Sequence, residues 1–238
     1  MTHEILILYG SQTGNSESAA HEISSLLPSK LPPLLNDANC DVKSTVMTLD
    51  DFLEMHHAPW TPIVIIVCSS YGVGHAPLGA RRFREVCDAM LERHGYDDRS
   101  STRFLEGVQY FLLGLGDSHY TTFFRNPTVM DEALSACGAL RRGALGKADA
   151  SGTGEEEQAK VIERWIDAMW GDLAKVVNEL TTQSEGQQRL QRAQEETWKL
   201  CLELFPDWRP ASTFALSSMF VPAIMVVLAI LYHLLVKI

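Results

Sequence analysis

The sequence predicts an α/β fold in which helices wind both faces of a parallel sheet. Three observations carry this. Short apolar runs alternate along the chain with segments of helical spacing, the order that gives βαβ units. Three of the runs, Ile5–Tyr9, Ile63–Val67 and Val108–Leu115, have no polar alternation, as expected of strands covered on both sides. Each of the three then breaks off in a loop of glycines and hydroxyls.

Taken in order, Ile5–Tyr9 is the first strand, and a helical pattern over Glu17–Leu27 follows its loop directly. Pro28, Pro32 and Pro33 predict that this helix stops near Leu27. Val42–Leu49 alternates and is rich in Val and Thr, which suits an edge strand. Asp50–Leu53 starts a short helix, and the adjacent His56 and His57 cannot share a helix face, so they are read as surface residues rather than metal ligands. Ile63–Val67, bounded by Pro62, is a central strand, Ala80–Leu91 a helix, and Val108–Leu115 the next strand. Pro127–Cys137 continues as helix, Leu140–Leu145 as the last strand, and Glu155–Leu180 as a long helix with Val161, Ile162, Trp165, Ile166, Met169 and Leu173 on its apolar side. Asn178–Gly186 is polar and reads as a linker. Gln187–Phe205 regains helical spacing, either packed on the domain or lying at a membrane surface. The expected division is a domain at 1–180, a linker with an amphipathic helix at 181–212, and an anchor at 213–236.

A formal charge of −10 on 238 residues argues against a nucleic-acid binder, which needs a positive footprint, and suits a basic protein partner better. The five cysteines, Cys40, Cys68, Cys87, Cys137 and Cys201, are widely spaced with no CxxC, as expected of reduced thiols in a cytosolic domain. No secretory signal opens the chain, since Ile5–Tyr9 is too short for an h-region. Phe214–Val236 is 23 residues without a formal charge. As a helix it would be about 34 Å long, enough to cross a bilayer core. It predicts a single-pass C-terminal transmembrane helix, a tail anchor that leaves the domain on the cytosolic face. The single terminal lysine points to the endoplasmic reticulum rather than the mitochondrial outer membrane.

The chemistry lies in the loops. The first, Gly10–Ser16, meets a helix N-terminus whose unpaired N–H groups and dipole favour an anion. It contains no Lys or Arg. Its donors are the side chains of Ser11, Gln12, Thr13, Asn15 and Ser16 with main-chain N–H groups near Gly14, a set suited to a monophosphate rather than a triphosphate with metal. In a doubly wound sheet all strand C-termini lie on one side, so this loop must converge with those at 69–77 and 114–124. These offer Tyr71 and Tyr120 beside glycines that let backbone approach a ring, a sandwich for a flat aromatic group with a phosphate tail. Gly116-Asp117-Ser118 could pass for a serine-hydrolase motif, but no partner Asp-x-x-His occurs. GxGxxG and GxxxxGK[ST] are absent too, so dinucleotide and triphosphate folds are not supported.

Ser11-Gln12-Thr13-Gly14, Ser70-Tyr71-Gly72-Val73-Gly74 and Leu113-Gly114-Leu115-Gly116-Asp117-Ser118-His119-Tyr120-Thr121-Thr122-Phe123 together resemble the FMN-binding, flavodoxin-like domain of the diflavin reductases. This is the group of NADPH-haemoprotein reductase and methionine synthase reductase. The resemblance covers about residues 4–177. It implies a five-stranded sheet in the order 2-1-3-4-5, FMN as cofactor, and no catalytic or metal-binding residue. Ser11–Ser16 would hold the phosphate. Tyr71 and Tyr120 would flank the isoalloxazine, and Gly72 would be the flexible peptide beside flavin N5. Ser69, Ser70, Gly74, Leu115, Gly116, Asp117, His119, Phe123 and Phe124 would complete the second and third loops, with Asp149 an acidic residue near the flavin. The sequence departs from the family pattern at Asn15, where Thr is usual, at Gly79, where Asn is frequent, and at Phe124-Arg125-Asn126-Pro127, which replaces a more regular turn.

Residues 181–238 are expected to be too few for FAD and NADPH modules, each of which needs on the order of 100–200 residues. The resemblance therefore implies a membrane-anchored one-electron carrier. A separate FAD/NAD(P)H flavoprotein would reduce it, and it would pass electrons to a membrane-associated haem or iron protein. The alternatives are an NAD(P)H:quinone reductase of flavodoxin-like type and a non-catalytic scaffold that has kept the fold.

Overall fold

The computed structural model describes residues 2–96, 103–180 and 186–208. Its strands are β1 (Thr2–Gly10), β2 (Asp41–Thr48), β3 (Ile63–Ser69), β4 (Gln109–Gly116), β5 (Leu140–Arg141) and β6 (Gly146–Asp149). They alternate with α1 (Asn15–Lys30), α2 (Leu49–Glu54), α3 (Arg81–Tyr96), α4 (Arg125–Ala136), α5 (Gln158–Leu180) and α6 (Gly186–Leu204). All the pairings are parallel, in the order β2-β1-β3-β4-β5, the doubly wound order expected.

The last position of the sheet differs from the single fifth strand expected at Leu140–Leu145. Two short strands share it: β5 pairs with the start of β4 (Gln109↔Leu140) and β6 with its end (Leu113↔Gly146 to Gly116↔Asp149). The chain leaves the ladder between them because Gly143 turns into the left-handed region at φ 66°, and the Ala144 carbonyl accepts from the Trp165 indole at 2.9 Å instead. This places Asp149 at the sheet's C-terminal edge, beside the third loop.

Residues 5–8 of β1, 63–68 of β3 and 111–115 of β4 are apolar because both faces are covered. Ile5, Ile7, Ile65, Val67, Phe111 and Leu113 pack with Ala20 and Ile23 of α1 and with Ile166, Trp170 and Leu173 of α5. By alternation Leu6, Leu8, Val64 and Ile66 point to the other face, also buried, where α2, α3 and α4 pack. The α3 N-terminus is capped from a neighbouring helix: the Asp50 carboxylate accepts from Arg81 N at 3.1 Å and Phe83 N at 3.0 Å.

Two helix limits differ from expectation. α1 runs through Pro28 to Lys30, because a proline in the last turn removes one donor, and Leu31 N still bonds the Leu27 carbonyl at 3.2 Å. α5 starts at Gln158, the preceding Gly154–Glu156 forming a 3-10 turn.

The chain divides into a unit Met1–Leu204 and a second unit Phe205–Ile238. α6 belongs to the first and packs on the domain. Ala193, Thr197, Leu200 and Cys201 are buried, Thr197 Oγ1 accepts from the Trp60 indole at 2.9 Å, Glu203 pairs with Arg93, and Trp198 lies 4.1 Å from the His57 ring. In the second unit, Pro206–Trp208 forms a 3-10 turn. Among the described residues no helix is long and apolar enough to cross a membrane; the anchor expected at 213–236 lies outside them.

Candidate functional site

β1, β3 and β4 are parallel and in register, so Gly10, Ser69 and Gly116 end on one side of the sheet and the three loops emerge together. The first loop is held at both ends. Ser11 N donates to the Leu78 carbonyl, just past the second loop, at 3.1 Å, and Ser11 Oγ accepts from Gly14 N at 3.0 Å. Gly14 adopts φ 95° as the N-cap of α1, a conformation glycine takes without strain, and nothing lies within 4 Å of where a Cβ would stand. Gln12 and Thr13 are exposed. Ser16 is 1 % exposed and its hydroxyl has no hydrogen-bond partner among the described residues. Asn15 turns elsewhere: its amide donates to Gln158 Oε1 at 2.9 Å, and Gln158 Nε2 in turn donates to the Ala148 carbonyl at 3.2 Å.

The second loop is a tight reversal in which Tyr71 and His75 exchange backbone bonds of 3.2 and 3.0 Å around Gly72 (φ 55°) and Gly74 (φ 85°). Tyr71 is half-buried. Tyr120, on the third loop, is 51 % exposed, a large aromatic side chain open to solvent. The third loop is tied back on itself by carboxylates. Asp117 Oδ1 accepts from His119 N at 3.0 Å and from Ser151 Oγ at 2.5 Å, and Asp149 Oδ1 accepts from Ser118 N at 2.9 Å and Ser151 N at 3.0 Å. The Ser151 hydroxyl, then the His119 amide, hold the Asp117 carboxyl below the usual range. At Asp149 partial burial pushes the carboxyl up, but the bonds from Ser118 and Ser151 outweigh it and the net shift is downward.

Asp117, His119 and Ser151 thus meet, yet not as a hydrolytic triad. His119 Nδ1 faces both the Ser151 hydroxyl and, at 3.1 Å, Asp117 Oδ1, whereas proton relay needs the two imidazole nitrogens to serve different partners. No group of His, Cys, Asp and Glu among the described residues could hold a metal ion.

The flavodoxin sequence profile matches residues 7–165. The chain belongs to the flavodoxin family. Among its relatives are methionine synthase reductase of Mus musculus, 33 % identical over 79 % of this chain, and a bifunctional cytochrome P450/NADPH–P450 reductase of Bacillus cereus, 34 % identical over 72 %. NADPH–cytochrome P450 reductase of Saccharomyces cerevisiae is 35 % identical over 64 %. The chain spans 24 %, 14 % and 19 % of these three proteins, so the likeness concerns one module of each.

FMN is the cofactor of the flavodoxin family, and this flavodoxin domain's own residues fit it. The buried side-chain polar atoms without a partner among the described residues are Ser16 Oγ, Ser69 Oγ and Trp170 Nε1. Two of the three stand at the loop edge of the sheet, where a buried hydroxyl is costly unless something binds it. Apart from Asn15, which bonds Gln158, and Asp149, which holds the third loop, the residues read from sequence divide into two groups. Ser11, Gln12, Thr13, Gly14 and Ser16, with Ser69, Ser70, Tyr71, Gly72, Gly74, Asp117, His119 and Tyr120, lie on the converging loops. Leu115 and Gly116 are buried at the end of β4, and the Phe123 and Phe124 rings lie against it: a Cβ on Gly114 would stand 2.3 Å from Phe124 and one on Gly116 2.9 Å from Phe123. Phe124, 2 % exposed, is a floor under the loops. Sequence reading missed Gln158, Asn126, Thr122 and Ser151. Each is a polar residue on a helix's first turn or in a loop, whose partners are fixed by the fold; Thr122 stood within the third-loop motif and Asn126 within the Phe124–Pro127 departure, neither with a role.

Proposed function

We propose that this chain is an FMN-binding electron-transfer module held at a membrane by its C-terminal segment. A separate FAD/NAD(P)H flavoprotein reduces it, and it passes single electrons to a membrane-associated haem or iron protein. One observation carries the reading: three loops from β1, β3 and β4 meet at one sheet edge with an orphaned buried hydroxyl, Ser16, at one position and two tyrosines, Tyr71 and Tyr120, at the others. When bound, FMN supplies the one-electron chemistry. Ser11, Thr13, Ser16 and the N–H groups at the start of α1 would hold its phosphate, and Tyr71 and Tyr120 its ring.

The names of the relatives support the donor and acceptor classes: two join NADPH with a cytochrome P450, and the third is a reductase of methionine synthase. The domain's acidity suits basic partners, since complementary charge raises encounter rates. The uncharged run at 214–236 supports the anchor, with the endoplasmic reticulum as the proposed membrane.

The chain purified from riboflavin-replete cells should show flavin absorbance, or take up added FMN with quenching of flavin fluorescence. A protein that does neither is no FMN carrier. Bleaching of bound flavin by NADPH alone, with quinone turnover, would instead identify a quinone reductase. Imaging a fluorescent fusion of residues 208–238 tests the anchor, and a diffuse signal would remove it.

A further inference from the structure

We propose that the turn at residues 122–126 is a template that fixes the second loop and thereby the gap between Tyr71 and Tyr120, with Asn126 and Thr122 as its positioning residues. The proposal rests on the FMN reading only for the purpose of that gap; the template itself is a property of the chain. Three successive parts of the second loop are held by this one turn. Asn126 Nδ2 donates to the Ser69 carbonyl at 2.9 Å, Asn126 N to Ser70 Oγ at 3.3 Å, and Thr122 Oγ1 to the Gly72 carbonyl at 3.2 Å. Further along, a Cβ on Gly74 would stand 2.9 Å from Arg125 Cδ and 3.1 Å from Thr122 Cβ, so the loop lies directly on the turn.

The turn can act as a template because it is itself fixed. Asn126 is fully buried, and its side-chain Oδ1 accepts from Arg84 Nη1 at 3.3 Å. Arg84 is held in place by both oxygens of Asp88, at 3.0 and 3.1 Å. Phe124 takes the left-handed backbone at φ 64°, unusual for a bulky residue, with its ring seated where Gly114 leaves room. A residue held in that conformation marks a turn whose surroundings over-determine its shape. The same turn follows Tyr120 directly in the chain. Its side chains therefore connect the two aromatic residues through short bonds rather than through the sheet.

The test uses the full chain in mild detergent and two readouts. Thr122→Val keeps the side-chain shape and removes the donor; Thr122→Ser restores it. In the FMN-free protein, hydrogen exchange at the Gly74 and His75 amides should speed up about tenfold or more in Thr122→Val, with strand amides unchanged, and return to the wild-type rate in Thr122→Ser. The Kd for FMN, read by fluorescence quenching, should rise about tenfold in the valine variant and recover in the serine variant. Asn126→Ala should do the same more strongly; where that variant fails to fold, Thr122→Val decides. Exchange and Kd within about twofold of wild type in Thr122→Val would overturn the proposal. A wild-type chain that binds no FMN sinks the cofactor reading, while the exchange readout still decides whether the turn holds the loop.

Discussion

Ser16→Ala should stabilise the FMN-free protein and weaken its hold on FMN, two effects of opposite sign from one atom. In the free protein the Ser16 hydroxyl is buried with no partner among the described residues, and such a group costs roughly 1–3 kcal/mol relative to one that is satisfied or absent. Taking the lower end of that range, because the small cavity left behind offsets part of the gain, Ala adds about 1 kcal/mol. For a domain of this size that raises Tm by about 2–4 °C. In the proposed FMN complex the same hydroxyl would donate to a charged phosphate, and a hydrogen bond to a charged group is worth about 1.5–3 kcal/mol. Its loss raises the Kd by about one to two orders of magnitude. The assays are thermal unfolding of the FMN-free chain and a flavin fluorescence titration. Ser18→Ala, a neighbouring exposed site on α1, serves as the neutral control. A destabilised FMN-free variant, or an unchanged Kd, would refute the assignment of this hydroxyl to the phosphate.

Gly114→Ala places a Cβ 2.3 Å from the Phe124 ring, whose left-handed backbone cannot easily retreat; overpacking of about 1–3 kcal/mol should lower the urea midpoint without changing the m-value. Thr197→Val leaves the buried Trp60 indole N–H without its acceptor and should cost roughly 1–3 kcal/mol in the same assay, whereas the exposed Gln188→Ala should be silent. Asp117 and Asp149 both have folded-state pKa values below those of the unfolded chain, so their contribution is complete above the ordinary carboxylate value and lost as pH falls through the depressed ones. The Asp117 and Asp149 side-chain carboxyl carbon NMR signals should therefore move only below about pH 4; a midpoint above the ordinary carboxylate value would contradict the bonding described.

How much of this was legible in the sequence depends on how local each signal is. The unbroken runs at Ile5–Tyr9, Ile63–Val67 and Val108–Leu115 gave the strands because burial on both faces acts residue by residue. The loops followed, because each begins where its strand stops. The split of the last strand was not legible, since it depends on Gly143 turning and on Trp165 of α5 claiming the Ala144 carbonyl, two elements that meet only in the fold. The same holds for α6. Its pattern fitted a membrane surface as well as the domain, and what decides is the buried Trp60–Thr197 bond across 137 residues of sequence. The glycines of the third loop were read as room for a flavin ring. At Gly114 and Gly116 the rings they admit are the chain's own, Phe124 and Phe123.

The two ends of the crevice are held by the same device, which explains why no charge was needed in the first loop. Gln158, at the start of α5, accepts from Asn15 and donates to Ala148. Asn126, at the start of α4, accepts from Arg84 and donates to Ser69. A primary amide both donates and accepts, so a single side chain can join two loops whose free groups are of opposite kind; a carboxylate or an ammonium could satisfy only one of them. Being neutral, it does so without adding a fixed charge that would bias the electrostatics of a bound phosphate or ring. Asn15 acquires its meaning here. Where the family pattern read from the sequence has threonine, this chain places an amide that reaches Gln158, so the wall of the first loop is fastened to α5, and the phosphate is proposed to fall to Ser16, a buried hydroxyl without a partner among the described residues.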